Sequence, residues 1–181
     1  MAFKYQVTDQ DGIYFITTTV VAWIDVFTRK ELAEVVIDSL AYCQKEKGLN
    51  IYAWCLMPSH LHMIVSATEE KNLSDIIRDF KKFTAKRIIA TLKEINESRT
   101  WMLNKFQFAA MIHPKNKDHK FWQDGFHPII LYGNDFMEQK LDYIHQNLVE
   151  ANMVSEPACY VYSSAVDYCG GKGLLEIVFL E

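Results

Sequence analysis

Two apolar, β-prone runs, NIYAWCLM over 50–57 and HLHMIVSA over 60–67, stand with only Pro58 and Ser59 between them. That spacing predicts an antiparallel hairpin, and the rest of the chain has to fold around it. Before it, IYFITTTVV over 13–21 is rich in aromatic and β-branched residues and reads as a strand. Thr28 with Glu31 has the form of a capping box, opening a helix that Gly48 ends, with Leu32, Val35, Val36, Leu40 and Cys43 as its apolar stripe. After the hairpin, Asn72 or Ser74 opens a long helix to about Asn96. Ile76, Phe80, Phe83 and Ile88 are expected toward the core, and Arg78, Lys82, Lys86 and Lys93 toward solvent. Residues 98–120 read as an irregular basic loop. HPIILY over 127–132 reads as a short strand, and Asp135 with Glu138 as a second capping box for a helix through Val149.

The order is β-α-β-β-α-β-α. Its first six elements make a split β-α-β, predicting an α+β, ferredoxin-like antiparallel sheet with helices on one face plus a C-terminal helix. No linker divides the chain, so residues 1–152 are expected to form one domain. The mixed segment 153–181, broken by Gly170, Gly171 and Gly173, is expected to pack on it as an extension.

Half of the 181 residues are hydrophobic, which excludes a disordered chain. The formal charge of −4 hides an asymmetry. Residues 71–122 carry twelve Lys or Arg against five Asp or Glu, and the remainder seven against eighteen. A local basic face can bind phosphates on a chain that is acidic overall. The four cysteines are scattered without a C-x-x-C pair, the N-terminal residues lack a signal-peptide pattern, and no apolar stretch approaches membrane-spanning length. These features predict a cytoplasmic protein with no membrane partner.

Three features could carry chemistry. His60 and His62 lie two apart on a strand, so both imidazoles project from one face: a two-point metal site, or two polar residues on a wetted face. The apolar flanks WCLMP and MIV describe a buried strand, where unpaired imidazoles would be costly. On the last helix Met137, Leu141, Ile144 and Leu148 make the core stripe. Tyr143 and Asn147, one turn apart, form a second stripe that aims a phenol and an amide at one point, or a plain amphipathic flank. The basic stretch, with Phe106, Phe108, Phe121 and Trp122 in or beside it, suits single-stranded nucleic acid whose bases stack on rings, or is only a solvated face.

In order along the chain, YFITTTV with Arg29 beyond it, YAWCLMPSHLHMIV, FWQDGFHPIIL, LDYIHQNLVEANMV and YVYSSAVDY together resemble the REP-associated tyrosine transposases. These are a branch of the HUH single-tyrosine (IS200-like) transposases, and the likeness spans about residues 13–168. It implies that His60, His62 and Asn147 ligate Mg²⁺ or Mn²⁺ and that Tyr143 is the nucleophile. It also implies strand-specific cleavage and rejoining of single-stranded hairpin DNA through a 5′-phosphotyrosine. The basic helix, through Arg78, Lys81, Lys82, Lys86, Arg87 and Lys93, is then the expected DNA-binding surface. His145, roughly the wrong way round the helix from Tyr143, is assigned a structural role. Ser59, Leu148 and Asn152 stand where the family has Asn, Pro and Gly. Two other readings stay open: a catalytically silent hairpin-binding protein, and a ferredoxin-like RNA-binding or RNA-processing protein. Whether the chain works as a monomer or a homodimer is undetermined by sequence.

Overall fold

The computed structural model describes residues 6–95, 97–112 and 118–180. Four strands, β1 (Tyr14–Thr19), β2 (Leu49–Leu56), β3 (His60–Ala67) and β4 (Ile129–Ile130), form one antiparallel sheet in the order β2-β3-β1-β4. This is the order that a split β-α-β produces, with the hairpin β2–β3 on one side and β1 closing onto β3.

Helices α1 (Lys30–Lys47) and α2 (Leu73–Glu94) pack on each other and cover one face. Leu32, Val36 and Leu40 of α1 and Ile77 and Phe80 of α2 join Tyr14, Ile16, Trp54, Leu56, Leu61, Met63 and Val65 in the larger core. The alternate strand residues Phe15, Cys55 and Ile64 point the other way. There Ile144 and Leu148 of α4 (Asn134–Glu150) bury against them in a smaller core. A bulge between Ile51 and Ala53 inserts Tyr52 into β2. It puts Tyr52 and Ala53 together on the α4 side before the alternation resumes at Trp54.

α1 ends as expected. Gly48 takes φ 73° and donates its N–H to the Cys43 carbonyl, and a Cβ there would collide with the Thr68 hydroxyl. The two expected capping boxes are absent. The Thr28 hydroxyl turns back to the Asp25 carbonyl, leaving Arg29 at the N-cap of α1 without a side-chain capping bond. α4 starts at Asn134 after Gly133 (φ 78°), so Asp135 lies in the first turn and acts there on the helix dipole. Asn72 does cap α2, its side chain accepting from Asp75 N–H. Asn96, the expected end of α2, lies outside the described residues, and the helix stops at Glu94.

The largest correction concerns residues 98–120, which contain a helix, α3 (Trp101–Ile112). Met102, Phe106 and Ala110 recur every four residues and are buried, so hydrophobic spacing overrode the basic, turn-like look of the segment. Residues 113–117 lie outside the described residues. Phe83, expected in the core, is 61% exposed on α2. The strand predicted over 13–21 stops at Thr19, where a 3₁₀ turn, Val21–Trp23, begins. The strand predicted over 127–132 shrinks to Ile129–Ile130: Pro128 has no N–H to donate and His127 takes φ 46°.

Residues beyond α4 run along β2, at the edge of the sheet. Leu56 N–H bonds to Tyr162 O, Ser164 N–H to Trp54 O and Val178 N–H to Ile51 O, while α5 (Ala165–Tyr168) sends the Tyr168 hydroxyl to Tyr52 O. Asn152, at the glycine position of the resemblance, holds φ 54°, a left-handed conformation that asparagine tolerates. Leu148, at the proline position, is fully buried and lets α4 continue to Glu150. Among the described residues no helix is long and apolar enough to cross a membrane.

Candidate active site

β3 occupies an inner position, between β2 and β1, and its even-numbered residues face α4. His62 pairs with Thr17 of β1 and His60 with Thr19. The two imidazoles meet edge to face with ring centroids 4.7 Å apart. Each is held at Nδ1 by a hydroxyl: His62 by Thr17 Oγ1 at 2.8 Å, and His60 by Ser59 Oγ at 3.1 Å. Burial disfavours protonation of both. It lowers His60, and pushes His62, with help from the neighbouring His60 and Lys140 charges, down to about 3. Burial thus favours the neutral form of both rings, which offers lone pairs. His62 Nε2 is buried, with no hydrogen-bond partner among the described residues. An orphaned imidazole nitrogen whose other nitrogen is fixed by a hydroxyl has the donor chemistry of a metal ligand.

Over these rings stands Tyr143. Isoleucine and leucine at 144 and 148 bury one side of α4, and this turns the tyrosine to the rim, 44% exposed. Its ring meets His62 with centroids 5.5 Å apart and Phe15 at 5.8 Å. The Phe15 ring stacks on His62. Asn147 lies one turn further along α4, half-buried. The structure thus brings His60, His62 and Tyr143 together. Asn147 takes no part in the ring contacts or side-chain hydrogen bonds of this cluster among the described residues. No three His, Cys, Asp or Glu side chains gather into a metal-binding group among them either. His145 points away: its Nε2 meets Ser164 Oγ at 2.9 Å, and burial lowers it to about 4. It ties α4 to the C-terminal segment, the structural role expected of it.

Sequence reading missed Lys140. Its Nζ lies 5.0 Å from the centre of the Phe15 ring, 5.4 Å from that of Tyr143 and 5.6 Å from that of Phe136. Its position three residues before Tyr143, one helical turn, was the available signal. Thr17 and Phe15 were likewise visible only as alternate residues of a strand whose partner was unknown.

The basic residues divide. Arg78, Lys82 and Lys86 line a groove of about 610 Å³ that runs between α2 and residues 118–126, with Lys81 and Lys120 along it. Lys81 is committed inside the fold: its ammonium donates to the carbonyls of Gln123 and Gly125, and burial lowers it to about 8. Arg78 pairs with Asp75 and Asp79, and Arg87 turns to Glu94 and lines a separate groove with Glu31, Glu34 and Asp38. Lys93 lies in the last turn of α2.

Comparison with known proteins gives a consistent set. A family model described as IS200-like transposase matches residues 13–110. The ISDra2 transposase TnpA of Deinococcus radiodurans is 27% identical over 67 residues, covering 37% of this chain and 48% of that protein. The chain thus spans about half the length of this curated relative. A solved REP-associated tyrosine transposase bound to a REP hairpin shares the fold, with a TM-score of 0.64 at 16% identity over 100% of this chain and 94% of that one.

Proposed function

Because the chain belongs to the IS200-like transposase family, we propose that it cuts and rejoins single-stranded hairpin DNA in the cytoplasm, with Tyr143 as nucleophile and Mg²⁺ or Mn²⁺ as cofactor. Residues 1–152 carry this chemistry in the proposal, and 153–181 are an extension packed on them. The observation that carries the reading is the Nε2 of His62, buried beside the ring of Tyr143 with no hydrogen-bond partner among the described residues. His60 and His62, with Asn147 as third donor, would hold the ion. When bound, it supplies positive charge to the scissile phosphate.

The rest falls to the chain. Thr17 and Ser59 fix the ring orientations, so that neutral imidazoles present their free nitrogens. The Tyr143 oxygen forms a bond to phosphorus in line with the leaving 3′-oxygen. The phenol proton is lost to solvent or a base, and the 3′-oxygen gains a proton as the P–O3′ bond breaks. A 5′-phosphotyrosine and a free 3′-OH result, and attack by a 3′-OH reverses the step without ATP. Lys140, at the rim, offers its ammonium to the incoming phosphate. Arg78, Lys82 and Lys86, along the groove, would hold the DNA backbone, with Arg87 and Lys93 further along α2. Lys81 would shape the groove by pinning its far wall.

The test is Tyr143→Phe with a labelled single-stranded hairpin oligonucleotide and Mn²⁺. The wild type should give a nick and a denaturant-resistant adduct. The variant should give neither, with hairpin affinity kept within a few-fold. A variant that nicks at the wild-type rate ends the reading, and a wild type that binds but never forms the adduct makes this a silent hairpin binder.

A further inference from the structure

The rim of the site carries an indole that neither core uses. Trp23 is 60% exposed, and its ring stands edge-on to His60 with centroids 5.3 Å apart. The backbone behind it is strained: Ala22 (φ 56°) and Trp23 (φ 55°) are consecutive non-glycine residues in the left-handed region. Such conformations persist where surrounding bonds over-determine them, and they concentrate at ligand clamps. Here Val21 N–H is held by Phe121 O at 2.8 Å and Trp23 N–H by Val20 O at 3.0 Å.

Beside Trp23 lies a cavity of about 380 Å³, lined by Ile24, Asp25, Arg99, Trp101 and Lys105 as well. Its wall is rigid. The buried Glu97 carboxylate grips Arg29 at 2.9 Å and Arg99 at 3.1 Å, and Arg99 reaches on to the Asp25 carbonyl at 3.0 Å. Trp101 is 49% exposed, and Lys105 brings a positive charge on the same helix. The cavity therefore offers exposed aromatic faces and a cation, next to an imidazole of the candidate active site.

We propose that this cavity takes one unpaired nucleobase of the DNA strand being cut, stacked on Trp23, with Lys105 against a neighbouring phosphate. The proposal rests on the nuclease reading above and adds to it a positioning residue. A paired base hides its faces in the duplex, whereas an unpaired base can lay one on an indole, and backbone phosphate needs a nearby cation. Stacking accepts any base, so Trp23 sets which phosphate lies over His60 and Tyr143 and leaves base identity unread.

The experiment moves a single abasic nucleotide through the unpaired flank of a hairpin oligonucleotide. At one position the wild type should lose about 10-fold in binding and cleavage. Trp23→Ala should show a similar loss on the intact strand and no further loss with the abasic one. Trp23→Phe should recover most of it, which a merely structural role would not allow, and Trp101→Ala should weaken the same position. Unchanged binding and cleavage in both alanine variants overturns the proposal, as does an abasic effect that persists at full size in Trp23→Ala. Binding, read by gel shift of the labelled oligonucleotide, separates the two readings. Abasic sensitivity that depends on Trp23 without any covalent adduct would end the nuclease reading and support the base pocket.

Discussion

At His62 the two ring nitrogens live in different surroundings, one bonded to a hydroxyl and one buried with no partner among the described residues. His62→Ala should abolish metal-dependent nicking and leave hairpin affinity within a few-fold, measured by nicking and gel-shift assays with and without EDTA. Nicking that survives EDTA would sink the metal assignment. Asn147→Ala should weaken metal use in a way that extra Mn²⁺ partly restores, whereas no metal concentration restores a missing Tyr143 hydroxyl. Glu97 makes a different kind of residue-scale test. Hydrogen bonds from Arg99 and then Arg29 hold its carboxyl well below the usual carboxylate range. A depressed carboxylate contributes stability above its unfolded value, near 4.5, and loses it as pH falls further toward the folded value. Glu97→Gln should therefore melt below the wild type at pH 7, and the gap should narrow progressively below about pH 4.5. Thermal melts across pH 7 to 3 check this; a constant gap would mean that the charge is not what holds Arg29 and Arg99.

Helix α2 presents two grooves with opposite company, basic on the Lys82–Lys86 side and acid-rimmed on the Arg87 side. Replacing Lys82 and Lys86 with alanine should weaken DNA binding across sequences and lower the salt slope by about 0.7 per lost contact on a single strand. An unchanged slope would mean that the DNA runs elsewhere. α3 admits a direct test as well. Phe106→Ala should cost about 3–5 kcal/mol in chemical denaturation if the phenyl is a core residue, and little if the segment were a loop. Legibility also divides at this scale. α1, α2, α4 and the hairpin were readable because each repeats apolar residues at its own period over many positions. α3 was obscured because Asn104, Lys105 and Gln107 sit between Met102, Phe106 and Ala110. The first capping box misled because the Thr28 hydroxyl bonds to a nearby backbone carbonyl instead, and the second because α4 starts before Asp135. The site was readable in its parts, His60, His62 and Tyr143. The residues that set it, Thr17, Phe15 and Lys140, needed the strand register and the face of α4.

Across the whole molecule, the segment after α4 covers a vulnerable border. β2 would otherwise present unpaired N–H and C=O groups, and residues 162, 164 and 178 now bond to that strand. Deleting residues 153–181 should lower the melting temperature and promote aggregation, read by light scattering, because a bare edge recruits other strands. A truncated chain that aggregates no more than the full chain and is equally stable would refute the covering role. The two-sided sheet has one more consequence, and it concerns how the chain finds this fold. Slipping β3 by one residue would swap its faces: Leu61, Met63 and Val65 would move to the α4 side, and both imidazoles into the larger core, away from the Thr17 and Ser59 hydroxyls. In that register the imidazoles would lose the hydroxyls that hold them, which adds a cost to the mispaired state. Apolar residues at positions 60 and 62 would remove that cost and make the two registers less distinct.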